Sequence, residues 1–129
     1  MSTVNTIHGT IDSADLGRTL SHEHLTNGSA GMENIPGLMG PDRRQEMIDR
    51  SVAALARVRQ SGIDSILDVT PFDLGRQGWL FEGVAKRHDE HGVNVVCATG
   101  IYRWVSPVFW GWSEDEIAEV TRVTCEHAR

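Results

Sequence analysis

His22-Glu23-His24 is the tripeptide of this sequence with the clearest chemical potential. In an extended strand successive side chains point to opposite faces, so residues two apart face the same way. His22 and His24 can then reach one point in space while Glu23 faces away. Two imidazoles on one side make half of a divalent-metal site, because neutral imidazole nitrogen suits zinc and its neighbours. By spacing alone the signal is weak, and a pair of unrelated polar residues at a strand end is the commoner reading. His8, His88, His91 and His127 fall at no predicted strand end and are expected at the surface.

The elements that must position this pair follow from the apolar pattern. Residues 1–16 form a small N-terminal piece, with a β-like run from Val4 to Ile11 and a turn from Asp12 to Gly17. Arg18 to Leu25 reads as a strand carrying the histidines at its end. A long loop with Gly28, Gly31, Gly37 and Gly40 follows, of the length that usually serves function. Asp42 to Ser61 is a helix, with Asp42 as N-cap and Met47, Ile48, Val52, Leu55, Ala56 and Val58 at helical spacing. Gly62 stops it. Ile63 to Val69 is a second strand, Thr70 to Gly78 a loop, Leu80 to His91 a second helix stopped by Gly92. Val93 to Thr99 is a third strand, nearly all apolar, as expected where both faces are covered. An aromatic-rich loop runs from Ile101 to Trp112, and its Phe109-Trp110-Gly111-Trp112 run is a candidate pocket wall or exposed apolar patch. Ser113 with Glu116 forms a capping box at the start of a third helix, Ser113 to His127.

Strands alternating with helices imply parallel strands and right-handed crossovers. Two layouts are open, a doubly wound sheet or a slice of a (β/α)8 barrel. A barrel needs about 250 residues, and this chain has 129. In either layout the polar loops at the carboxyl ends of the strands are where sites form.

A formal net charge of -6 with scattered arginines argues against nucleic acid. Two cysteines, Cys97 and Cys125, make no disulfide framework. No signal peptide is evident, and no apolar stretch approaches the roughly 18–20 residues of a membrane span. A cytoplasmic location, without membrane partners, is the expectation.

Three blocks of this chain resemble the phosphotriesterase family of the amidohydrolase superfamily. They are Thr19-Leu20-Ser21-His22-Glu23-His24-Leu25 with Ser29-Ala30-Gly31, then Ile66 to Arg76, then Val93 to Tyr102. They occur in the family's order and approximate spacing, and the likeness runs from about Val4 to about Val120. The resemblance implies the N-terminal portion of a (β/α)8 barrel, about three βα units within one partial domain over residues 1–129. It implies two divalent metals, usually zinc, and a bridging hydroxide that attacks phosphotriesters, lactones or related esters. His22 and His24 would bind the more buried metal. Tyr102 falls where the family places an aromatic residue at the substrate pocket, and Trp104 lies in the same loop. Full-length relatives are commonly dimers, so a homodimer is implied for a full-length form.

The departures from the family are also legible. Its bridging carboxylated lysine, two later histidines and an aspartate lie on strands beyond this chain's third. The sole lysine, Lys86, falls inside the second helix and cannot be that bridge. Thr121 to Arg129 leaves the family's amphipathic pattern, as a truncated or shifted reading frame would, or simply a divergent helix end. The chain alone is therefore expected to be catalytically inactive and marginally stable, with open sheet edges. A non-catalytic remnant and a minimal two-histidine metal module are the other readings. Asp68 is expected to hydrogen-bond a neighbouring loop, and Asp73 to pair with Arg76 within the second loop.

Overall fold

The helical spacing of Met47, Ile48, Val52 and Leu55 becomes α1, Pro41–Gln60. The computed structural model describes residues 2–32, 35, 37–100, 102, 111 and 113–116. Asp42 is not the N-cap of α1. Gly40 takes that position and Pro41 opens the helix, because proline's fixed φ and missing N–H suit the first helical residue. Asp42 instead lies in the first turn, where its charge meets the positive end of the helix.

Three parallel strands, β3 (Thr19–Glu23), β4 (Ser65–Asp68) and β5 (Asn94–Cys97), form one sheet in the order β3-β4-β5. Thr19 pairs with Ser65, Leu20 with Ile66 and Glu23 with Asp68, with a register shift between Leu20 and Glu23. Ser65 to Asp68 pair in step with Asn94 to Cys97. Each strand is shorter than its apolar run. The residues beyond the ladder serve caps and loops: Ile63 N–H returns to Val58 of α1, and Thr70 N–H turns to the Asp68 side chain. Residues 3–12 form an antiparallel hairpin, β1 (Thr3–Thr6) and β2 (Gly9–Asp12). Its turn docks on β5 through Ile7 N–H to Val95 O at 2.9 Å. The expected turn after it is a 3-10 helix, Ser13–Leu16, capped by the Asp12 carboxylate.

The expected helix from Leu80 to His91 is two helices, α2 (Gly78–Ala85) and α3 (His88–His91). Arg87, at φ -115° and ψ 25°, separates them. Its guanidinium is drawn to Asp49 of α1 and to Glu90. The swing buries His91, whose Nε2–H faces Val84 O while its Nδ1 accepts Val93 N–H at 3.1 Å. Gly92 then ends α3 in the left-handed conformation, φ 63° and ψ 24°, which glycine adopts without a Cβ penalty.

The core lies between sheet and helices. Ile66, Val93 and Val95 from the sheet side pack against Val52 and Leu55 of α1 and Leu80, Phe81 and Val84 of α2. Burial of each such side chain favours folding by roughly 1.5–3 kcal/mol before chain entropy is set against it. Parallel strands connected through helices make this a portion of a (β/α)8 barrel, and the barrel is not closed among the described residues. No described helix is long and apolar enough to cross a membrane. At the start of the predicted third helix the capping box forms, with Ser113 N–H donating to Glu116 at 2.6 Å and Glu116 N–H to Ser113 Oγ at 3.3 Å. The rest of that helix lies outside the described residues, as do Trp104, Cys125, His127 and the aromatic run apart from Gly111.

Candidate metal site

His22 lies on β3 and His24 one residue beyond its end. Their ring centroids are 5.5 Å apart, with planes at 71°, and both side chains are exposed. The strand alternation thus brings the two imidazoles side by side at the carboxyl edge of the sheet. What holds the end of β3 is the neighbouring strand. Glu23 O accepts Val69 N–H at 3.0 Å. Asp68, fully buried at the end of β4, accepts Leu25 N–H at 2.7 Å and Thr70 N–H at 2.9 Å. This is the loop-ordering role expected of Asp68. A buried carboxylate needs such donors, since burial without them is costly.

Thr70 was not singled out by the sequence, yet it touches His24 directly. Its Oγ1 lies 2.8 Å from His24 Nδ1 and donates to Thr26 O at 3.0 Å. The signal available was Asp68-x-Thr70, the same two-residue spacing on the adjacent strand end.

Asp73 and Arg76 do not pair as expected. Asp73 accepts the backbone N–H of Tyr102 with both oxygens, at 3.0 and 3.1 Å. Arg76 Nε donates to Thr70 O at 2.8 Å. A backbone N–H without a ladder partner attracts the carboxylate more usefully than an exposed ion pair would. The result ties the loop after β5 to the loop after β4. Tyr102 itself is 63% exposed. A cavity of about 380 Å³ opens beside His24, between the loop after β3 and α1, with Asn27, Met32, Met39, Met47 and Arg50 in its lining.

Two neutral imidazoles fit a divalent cation as two of its ligands. Zinc sites use three or four protein ligands, and among the described residues no group of three histidine, cysteine or acidic side chains is placed to hold a metal. Lys86 is the C-cap of α2, ion-paired with Glu82 at 2.6 Å, and plays no part in the site. Cys97 packs against the core, and burial pushes its thiol up to about 11, which keeps it protonated and a poor ligand.

Three of the other histidines are not surface residues in the expected sense. His91 is buried, and His8 and His88 are half-buried. Ring centroids lie 3.7 Å apart for His8–His88 and 5.2 Å for His88–His91. Burial lowers the pKa of both His8 and His91, and the neighbouring His88 adds to this. They belong to the junction of the hairpin with α3, since they neither share a strand end nor join His22 and His24.

An incomplete (β/α)8 barrel with paired imidazoles at its carboxyl mouth is the class these features define. The chain belongs to the phosphotriesterase family, whose model matches residues 2–123. It is 32% identical over 111 residues to a phosphotriesterase homology protein of Mycobacterium tuberculosis, covering 85% of this chain and 32% of that protein. It is 36% identical over 113 residues to an aryldialkylphosphatase of Saccharolobus solfataricus, covering 85% of this chain and 34% of that one. Among solved structures, the phosphotriesterase from Mycobacterium tuberculosis aligns with a TM-score of 0.69 at 32% identity, over 84% of this chain and 33% of that chain. The chain thus spans about a third of the length of these relatives.

Proposed function

We propose that this chain supplies the N-terminal third of a zinc-dependent ester hydrolase acting on phosphotriesters or lactones, with His22 and His24 as two ligands of its metal centre. The observation that carries the reading is the pair of imidazoles, 5.5 Å apart at the carboxyl ends of parallel strands, in a chain of this family. When bound, paired divalent metals lower the pKa of water and polarise the ester being attacked. The residues of this chain contribute binding and order. His22 and His24 hold the ion, Asp68 fixes the loop that carries His24, and Asp73 anchors the loop of Tyr102. Tyr102 lines the substrate entrance, and Trp104, outside the described residues, is assigned to it by the family resemblance alone. The partner is a small-molecule ester. The compartment is the cytoplasm, and a homodimer is the assembly of a full-length form.

The second reading is a non-catalytic role for the chain by itself. Both readings are tested by one pair of measurements. The chain alone, assayed with zinc on a phosphotriester and on a lactone, should give no turnover above background. Grafted in place of the matching third of the Mycobacterium tuberculosis phosphotriesterase, it should support zinc-dependent turnover that is lost on His22→Ala or His24→Ala. A folded graft whose turnover ignores both substitutions would remove the histidines from the site.

A further inference from the structure

We infer that Thr70 is the positioning residue that fixes the tautomer of His24, leaving the Nε2 lone pair of that ring free for a metal ion. The inference rests on the reading of His24 as a metal ligand, and it adds a residue that sequence spacing does not assign. A carbonyl oxygen only accepts, so the single hydroxyl proton of Thr70 is committed to Thr26 O, 3.0 Å away. Thr70 Oγ1 therefore presents a lone pair to His24 Nδ1 at 2.8 Å. That contact is a hydrogen bond only if Nδ1 carries the proton. In a neutral imidazole the other nitrogen, Nε2, is then unprotonated and able to ligate.

The arrangement is rigid. Thr70 is fully buried, so its hydroxyl is shielded from water. Its N–H is held by Asp68 at 2.9 Å, and its carbonyl accepts from Arg76 Nε at 2.8 Å. A hydroxyl set in this way acts on the ring through orientation and proton placement, as outer hydrogen-bond partners of metal-bound histidines commonly do.

The test uses ¹⁵N-histidine-labelled chain without metal, at about pH 8.5, where imidazoles are neutral. The His24 resonances are identified by their loss in His24→Gln. In the wild type Nδ1 should show the signature of the protonated nitrogen and Nε2 that of the bare one. Thr70→Val, close to Thr70 in shape, should lose this preference, and Thr70→Ser should keep it. Circular dichroism on each variant secures that the fold is retained. Co(II) titration gives the second readout. Thr70→Val should weaken binding about 10–100-fold, with Thr70→Ser near the wild type. A wild-type His24 protonated on Nε2, or a tautomer unmoved in folded Thr70→Val, overturns the inference. Co(II) binding unaffected by His24→Gln overturns instead the metal reading on which it rests, and the nitrogen signals separate the two failures.

Discussion

Asp68 is buried beneath both loops that frame the histidine pair, and its carboxylate takes the N–H groups of Leu25 and Thr70. Removing it leaves two donors without a partner, each worth about 1–3 kcal/mol. Asp68→Ala is therefore expected to lower stability by about 2–6 kcal/mol in urea unfolding. Asp68→Asn, which keeps one accepting oxygen, should cost about half of that. A loss under about 0.5 kcal/mol, the range of neutral surface changes, would mean that the loops do not depend on this carboxylate. The histidine pair was legible in the sequence, because residues two apart share a strand face whatever the fold around them. Thr70 was not, since its partners His24 and Thr26 lie 46 and 44 residues away. Asp73 and Arg76 misled for the opposite reason. Their nearness in sequence suggested a pair, whereas the backbone of Tyr102, 29 residues on, supplied the better donor.

Loop packing around the site turns on Gly75, at φ 73° and ψ 37° where the short 3-10 helix Phe72–Leu74 ends. A Cβ there would lie 3.1 Å from both the Gly28 carbonyl carbon and Ser29 O, backbone atoms of the loop after β3. Leu74 O also accepts Gly28 N–H at 3.1 Å. Gly75→Ala thus combines left-handed strain with overpacking, and a loss of about 1–3 kcal/mol in urea unfolding is expected. Amide exchange should quicken at Gly28 in the same variant. Unchanged exchange with full stability would show that the two loops are independent. The order of strands and helices was readable from the apolar periods and the glycine stops, and Gly92 ends α3 as its place in the sequence indicates. The break between α2 and α3 was not readable. It depends on Arg87 reaching Asp49 of α1 and on His91 turning inward, contacts that exist only once the helices pack. Proline outranked aspartate at the start of α1 because a preset φ acts locally, before any cap is formed.

Across the molecule, acid should act in two stages. His8 and His91 have pKa values lowered from 6.5, first by burial and then by His88, with Asn94 and the Val84 carbonyl opposing. Arg87 lowers His91 further and Glu90 raises it. The unfolded chain binds protons near 6.5 and the folded chain only at lower pH, so stability falls as pH drops below about 6.5. Asp49, Asp64, Glu82 and Glu90 have lowered values through their partners, chiefly Arg87, the Arg18 backbone N–H, Lys86 and Arg87 respectively. Their contribution persists above the ordinary carboxylate range and is lost only on passing below it. Urea midpoints measured from pH 7.5 to 5.5 should decline, and His88→Gln should shrink that decline. A midpoint that rises toward pH 5.5 would contradict the cluster's role. The family and the barrel were legible at this scale from three short blocks in register, whereas the histidine cluster was not, because the hairpin and α3 meet only in the fold. Calorimetric titration of the chain with zinc is the most direct test of the proposal that His22 and His24 form the metal-binding half of the barrel mouth. Weak zinc binding, from two imidazoles without a third ligand group among the described residues, is expected, and it should be lost in the His22→Ala/His24→Ala double variant. Equal affinity in that variant, including any binding at the His8 cluster, would contradict it.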